Sequence, residues 1–598
     1  MDIRLSSHTQ PPSRWRWRYS AVLGGHVDEL VVDADRLLEA GPDVVPIGRV
    51  HELEGVFADQ LVGIVPEDRL RRSIEVLVGP VPVDDGDLVL RVVEEHPVDR
   101  TVHISVYTPR AGKKMVVVHM CRVAGVENDG DGSPKPVGTR VPSEMHVFGS
   151  SGVRGVANEE VTPAYVLQIA QATGSVWDAD RIALARDTRT SGEMLADAAA
   201  SGLASTGHAV DLLGEVSTPG LQAYCARHGV PGMMITASHN PPAYNGVKLI
   251  GADGVELDRT VLDDIEDRLE ATEFDTVRWD GLGRTRAIDG AGDDYITEVL
   301  DAVDRTAIAA ADLTVVVDPG HGAGCHTSPT FLRELGCTVH TVNAQPDGHF
   351  PGRDPEPIDP HLADLREYVR TTDADLGIAH DGDADRAVFV DETGTTINGD
   401  AALAALVEAT VEPGDTVVSA VNASQRLVDV VEAADAELTL TRIGSTYLIT
   451  RIQQLRAAGE TVSVAGEGNG GIIFPGYRIA RDGAYTAGKF LELVAEEPAS
   501  EIAARFDDYV NVRAAVEYED ETERAAMLDA VEAAATEAVA DLDTTDGYRL
   551  KYGDGWVLAR PSGTEPVVRI YAEAHTQQRA DELLSTFADP IDRVREDG

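Results

Sequence analysis

At 598 residues, with a formal net charge of −51, the chain is too long for one core and too acidic to select a nucleic-acid phosphate backbone. No apolar run approaches the ~20 residues that a membrane span needs, and the N-terminal twenty residues lack an apolar stretch ending in a cleavage site. Cys121, Cys225, Cys325 and Cys337 show neither CxxC spacing nor the density of a disulfide scaffold, so a cytoplasmic protein of about four domains is expected. The acid is spread along the chain, and only six of the 51 basic residues are lysine. That combination reads as adaptation to a high-salt cytoplasm, where short-range screening makes a large net charge tolerable.

Residues 1–144 stand apart: their net charge is −6, against −45 for the rest. Within them "SIEVLVGPVPV", "DLVLRVV" and "TVHISVY" have strand character, and "VENDGDGSPKPVGTRVPSE" reads as a linker. Either a small β-rich domain precedes the main body, or this is translated upstream sequence with the working start at Met145.

From Met145 the pattern alternates short β-branched runs ("RIALARD", "LTVVVDPG", "ADLGIAHDG", "VSVAGEG") with amphipathic helical stretches. Such alternation predicts α/β layers with largely parallel sheets and ligands at the carboxyl ends of strands. The expected divisions are three related α/β units at 145–297, 298–397 and 398–508, then a smaller α+β unit at 509–598. No strict sequence repeat links the three.

Each unit carries one loop with chemistry in it. In the first, "TASHNPPAYNGVKL" (236–249) sets Ser238 beside His239 and places Lys248 ten residues after the serine. Lysine can release its proton when its pKa is lowered and arginine cannot, so a lysine kept near a hydroxyl nucleophile is a candidate acid/base group. In the second, "AHDGDADRAVFVD" (379–391) places Asp381, Asp383 and Asp385 at alternate positions after a strand. Three hard oxygen donors from one loop suit Mg²⁺, and no glutamate follows at the spacing of a calcium EF-hand. Arg386 among them can orient carboxylates or meet phosphate.

The third unit has "GEGNGGIIFP" (466–475), where Glu467 and Asn469 sit in a glycine-rich turn suited to sugar hydroxyls or simply joining two strands. The last has "RPSGTEPVVRIYAEA" (560–574). Arg560 and Arg569 offer forked donors, Ser562 and Thr564 hydroxyls, and Gly563 a flexible backbone, as a phosphate cradle would. It lacks the lysine and spacing of a Walker loop.

Taken together, these loops resemble those of the α-D-phosphohexomutase family, which includes phosphoglucomutase, phosphomannomutase and phosphoglucosamine mutase. The motifs occur in family order from Met145 onward: "FGSSGVRG", "ARDTRTSG", "TASHNP", "VVDPGHGAG", "PDGHFPGRDPEP", "DGDADR", "GEGNGG" and "RPSGTEP". The resemblance implies four domains around a central cleft, with Ser238 as phosphoserine nucleophile and Mg²⁺ held by Asp381, Asp383, Asp385 and the serine phosphate. It implies that Arg154, His239 and Lys248 lie in the catalytic centre and that the Glu467 loop grips sugar hydroxyls. The Arg560–Thr564 loop would hold the unreacting phosphate. The implied reaction interconverts hexose 6-phosphate and hexose 1-phosphate, with a hexose 1,6-bisphosphate as intermediate and primer.

Many family members have Ser and His where this chain has Asn469 and Gly471. The form "GEGNGG" looks like archaeal relatives of varied sugar preference. Phosphomannomutase/phosphoglucomutase activity is the first expectation and phosphoglucosamine mutase the alternative. A sugar-phosphate-binding protein without catalysis is disfavoured by the intact Ser238, Lys248 and aspartates, and oligomeric state stays open.

Overall fold

The structure, a computed structural model, describes residues 148–149, 152–562 and 566–597, together with the backbone of six strands earlier in the chain. The chain divides into two compact units, 1–140 and 141–598. In the first, Arg16–Leu23 pairs antiparallel with His26–Asp33. Val45–Pro46, Val89–Val93, Val102–Tyr107 and Val116–Met120 form a four-stranded antiparallel sheet. Two of the three expected strand stretches fall here, and 73–83 lies outside the described residues.

The described residues of the second unit form four sheets. In the first, the order runs Thr285–Ala287, Ala209–Glu215, Arg181–Arg186, Gly232–Ile235, Tyr244–Ile250, Val153–Val156. The second runs Thr338–Thr341, Thr314–Asp318, Leu376–Ala379, Val388–Asp391, and the third Glu437–Thr441, Thr416–Ala420, Val462–Gly466, Ile472–Phe474, Arg478–Arg481.

A common scheme underlies all three. Two parallel strands lie with the earlier one inside, a third parallel strand joins on its free side, and the next strand returns antiparallel. The return connection is, in turn, residues 236–243, 380–387 and 467–471. All three are loops that the sequence marks as chemical. They leave the carboxyl ends of central strands, where parallel sheets present their ligands. The kinship of the three units is therefore topological, which explains why no sequence repeat reveals it.

The central strands are buried on both faces and correspondingly apolar, as in Val315–Val317, Ile378 and Val464. One core runs through the second and third sheets without a break, and Phe389 stacks on Phe490 with ring centroids 4.0 Å apart. The relative position of these two loops is thus set by rigid packing. The fourth sheet is antiparallel, ordered Val510–Glu517, Val567–Ala574, Gly555–Pro561, Tyr548–Tyr552, Asp541–Asp543, and packs against helices Glu521–Glu537 and Gln577–Asp597. Among the described residues, no helix is long and apolar enough to cross a membrane.

Candidate active site

Ser238 follows the strand Gly232–Ile235 and is fully buried, with φ +52°. A non-glycine residue in the left-handed region stores backbone strain, which surrounding contacts must hold. Thr236 Oγ1 accepts the Ser238 N–H at 2.8 Å. Arg189, itself buried, donates from Nη2 to the carbonyls of Ser238 (2.8 Å) and Asn240 (2.7 Å). Its Nη1 donates to those of Pro241 (2.6 Å) and Tyr244 (2.9 Å), and its Nε to Asp187 Oδ2 (3.0 Å). All five guanidinium N–H groups are used, three on the loop 236–243 and one on Tyr244, where the next strand begins.

The aspartate loop meets the serine directly. Ser238 Oγ donates to Asp381 Oδ2 at 2.6 Å. Gly382 makes this approach possible, since a Cβ there would lie 2.6 Å from the Ser238 carbonyl oxygen. Asp381, Asp383 and Asp385 are all buried, and one oxygen of each falls within 4.8 Å of the others.

Three cations face this trio, two from other segments and one, Arg386, from the aspartate loop itself. Lys248 Nζ, on the strand paired with Gly232–Ile235, donates to Asp383 Oδ2 (2.6 Å) and Asp385 Oδ2 (3.0 Å). Thr218 adds a hydroxyl bond to Asp383 Oδ2 at 2.6 Å. Arg386 Nε lies 3.9 Å from both Asp381 Oδ2 and Asp385 Oδ1. Arg481 Nη2 reaches Asp385 Oδ2 at 2.8 Å.

These neighbours decide the charge states. Burial and the charges of Asp385 and Asp383 push the Asp381 carboxyl up. Burial would also raise Asp383, but Lys248 and Thr218 outweigh it and hold it low; Arg481 and Lys248 do the same for Asp385. For Lys248 burial favours the neutral amine, yet Asp383 and Asp385 keep it above its ordinary value. The lysine is held here as an ammonium by its two carboxylates.

His239 is pushed well below its usual range by the Arg386 charge, by burial and by Arg154. Arg386 Nη2 lies 3.0 Å from His239 Nδ1. A guanidinium can only donate, so Nδ1 accepts and the proton of the neutral ring sits on Nε2. Arg154 donates to Asn240 Oδ1 at 3.0 Å, and burial lowers its pKa to about 10.

The donor chemistry fits a hard divalent cation. Among the described residues no hydrogen-bond donor reaches Asp383 Oδ1 or Asp385 Oδ1, although both atoms are buried. Buried carboxylate oxygens without a partner are costly unless something binds them.

The glycine-rich loop adjoins the trio: the Ala387 N–H donates to the Gly470 carbonyl at 3.1 Å. Glu467 is nearly buried, and Asn469 Oδ1 accepts the Gly471 N–H at 3.0 Å. In the last loop Arg560 pairs with Asp546 (N···O 2.9 Å) and stands opposite Arg569 across the strand pair. The Ser562 N–H donates to the Val567 carbonyl, and Gly563 and Thr564 lie outside the described residues.

Profiles of the family match in succession. They are phosphoglucomutase/phosphomannomutase α/β/α domain I over 145–276, domain II over 293–394, domain III over 398–509 and the C-terminal domain over 510–589. The chain belongs to the phosphoglucomutase/phosphomannomutase family.

A phosphoglucomutase/phosphomannomutase of Thermococcus kodakarensis is 40% identical over 449 residues, 73% of this chain and 96% of the relative. A probable phosphoglucosamine mutase of Methanopyrus kandleri is 40% identical over 456 residues, 75% of this chain and 98% of the relative. The crystal structure of a phosphoglucomutase/phosphomannomutase family protein from Burkholderia thailandensis superposes with a TM-score of 0.65 at 26% identity, covering 75% of this chain and 98% of that one.

Sequence reasoning singled out Ser238, His239, Lys248, the aspartates, Arg154 and Arg386, and the structure gathers all of them. It did not reach Arg189, Thr218 or Arg481. Arg189 lies inside the motif "ARDTRTSG", but that motif holds two arginines and nothing in it tells which one turns toward Ser238. Nothing local marks Thr218 or Arg481.

Proposed function

We propose that this family member is a phosphosugar mutase that interconverts hexose 6-phosphate and hexose 1-phosphate through a phosphate carried on Ser238. The observation that carries this reading is the 2.6 Å contact of Ser238 Oγ with Asp381 inside a buried cluster that also contains Lys248. A hydroxyl nucleophile, carboxylates for a metal and several cations are what phosphoryl transfer requires, because the reaction is mainly positioning and charge neutralisation.

Asp381, Asp383, Asp385 and Ser238 would hold Mg²⁺, which when bound offsets negative charge on the phosphoryl oxygens. Arg189 holds the serine loop rigid while the phosphoryl group passes between Ser238 and a sugar hydroxyl. Lys248, held here as an ammonium rather than with the lowered pKa that a base would need, would act as the acid that returns a proton to the oxygen the phosphoryl group leaves. His239, neutral and held by Arg386, flanks the serine without adding charge. Arg154 and Arg386 contribute fixed positive charge, Glu467 and Asn469 meet sugar hydroxyls, and Arg560, Ser562, Gly563, Thr564 and Arg569 receive the second phosphate. A hexose 1,6-bisphosphate must turn within the site and return its other phosphate to Ser238.

Phosphoglucosamine mutase activity is the second reading, favoured by the M. kandleri relative, which is as similar as the T. kodakarensis protein. Coupled assays at molar salt with glucose 1-, mannose 1- and glucosamine 6-phosphates separate the two. Intact-protein mass spectrometry after incubation with a hexose 1,6-bisphosphate should show one added phosphate, mapped to Ser238. Ser238→Ala should lose it together with ~10³-fold or more of the activity. A phosphate mapped elsewhere, or an undiminished alanine variant, refutes the assignment.

A further inference from the structure

The space above Gly471, in the glycine-rich loop, is filled. A Cβ at Gly471 would lie 2.7 Å from Cδ of Arg481. Arg481 ends the strand Arg478–Arg481, which returns antiparallel beside Ile472–Phe474. From there its side chain crosses Gly471 and enters the aspartate cluster, with Nη2 2.8 Å from Asp385 Oδ2 and 3.7 Å from Glu256 Oε1. Its side chain is 5% exposed, so this path runs through the interior.

The oxygens of the cluster divide in a consistent way. Asp383 Oδ2 receives Lys248 and Thr218, and Asp385 Oδ2 receives Lys248 and Arg481. Among the described residues, Oδ1 of each carboxylate receives no hydrogen bond. A carboxylate anchored through one oxygen has its plane set and its other oxygen aimed, which is how outer partners orient metal ligands.

We propose that Arg481, reaching past Gly471, is a positioning residue that anchors Asp385 through Oδ2 and leaves Oδ1 directed at the divalent-cation site. Lys248 and Thr218 do the same for Asp383. The glycine of the sugar loop is thereby tied to the metal loop: a side chain at 471 and this arginine cannot share the space. The inference rests on the trio being the Mg²⁺ site.

A cation beside metal ligands also repels the metal, and this makes the proposal testable by sign. If Arg481 were only a counter-charge, Arg481→Lys would leave Mg²⁺ affinity unchanged and Arg481→Met would tighten it. As a positioning residue it should weaken on either change, because lysine is a point charge without the planar fork. Titration calorimetry of the full chain with Mg²⁺ in molar salt should show ~10-fold or more loss of affinity in both variants. Gly471→Leu, which leaves Arg481 in the sequence but obstructs its path, should weaken Mg²⁺ comparably.

Melting temperatures in chelator identify the folded variants on which affinity is read, since a purely structural role would lower stability without moving affinity. Unchanged binding in Arg481→Lys, tighter binding in Arg481→Met, or unchanged binding in Gly471→Leu overturns the proposal. Wild-type protein that binds no Mg²⁺ overturns the metal site itself, and with it this inference. Loss of binding in Asp383→Asn, with Arg481 intact, shows that the metal site stands independently.

Discussion

The serine loop, 236–243, and the aspartate loop, 380–387, occupy the same place in their sheets, between the last parallel strand and the strand that returns, yet they are held in opposite ways. In the serine loop neutral carbonyls converge on one cation, with Arg189 donating to Ser238, Asn240, Pro241 and Tyr244. In the aspartate loop the anions belong to the loop itself, as does Arg386, while Lys248 and Arg481 arrive from two other segments. The first arrangement fixes the backbone around a nucleophile without bringing a charge onto its oxygen. The second keeps Asp383 and Asp385 ionised in the interior and, among the described residues, leaves one oxygen of each without a hydrogen-bond donor. Buried loops of irregular backbone need every carbonyl satisfied, whereas buried carboxylates need compensating charge.

Breaking the first arrangement should have the largest effect. Arg189→Met leaves three loop carbonyls, that of Tyr244 and the buried Asp187 without their shared donor, and Asp187 is already pushed up by burial. Stability should fall by about 3–5 kcal/mol, as for removal of one partner of a buried pair. Arg189→Lys, with at most three donors in place of five, should fold but lose kcat more than it raises KM. Thermal denaturation and steady-state kinetics of the two variants read these outcomes; wild-type kcat in the lysine variant would mean the carbonyl clamp does not position Ser238.

The seam between the loops comes next. Gly382→Ala places a methyl 2.6 Å from the Ser238 carbonyl, so one loop must shift away from the other. Overpacking of this kind costs about 1–3 kcal/mol. Activity should fall further than stability does, since a small displacement of a reacting group is enough to slow the transfer ~10²-fold.

A third case extends the comparison to the glycine-rich loop, which rests on a carboxylate that forms no ion pair within the described residues. Asp400 lies under Gly468, where a Cβ would come 2.2 Å from Oδ1, and burial raises its pKa to about 6. The folded protein thus binds this proton more tightly than the unfolded chain, whose aspartates titrate near ~3.9. Its contribution is most favourable at low pH, declines as pH rises from about 4 to about 6, and stays reduced above that. Asp400→Asn should therefore raise the melting temperature at pH 7 and gain little at pH 4. An equal gain at both pH values would show that the carboxyl is not held protonated by the fold.

The smallest effect is expected at the N-terminus. We expect a chain starting at Met145 to keep kcat within about ten-fold of the full-length value. The family profiles begin at 145, and every candidate site residue lies beyond it. A larger loss of activity, or insolubility at molar salt, would make residues 1–144 part of the working enzyme.

Local sequence was sufficient for the residues whose chemistry is declared by type and spacing. Ser238 next to His239 with a rare lysine ten residues after it, and three aspartates at alternate positions after a strand, each lie within one short stretch of sequence, and the β/α alternation that predicts the sheets is likewise read along the chain. Tertiary structure alone decided who holds those residues. Arg189 comes from 49 residues before Ser238, Lys248 lies 135 residues from Asp383, and Thr218 lies 165 residues from it. Arg481 reaches Asp385 only because Gly471 leaves a gap. The physical reason is that satisfying a buried hydrogen-bonding or charged group depends on which donor arrives in space, and side-chain type alone does not say where a buried arginine points. The common strand order of the three sheets was hidden for a similar cause: many apolar sequences pack the same parallel strands, so topology persists where sequence repetition does not.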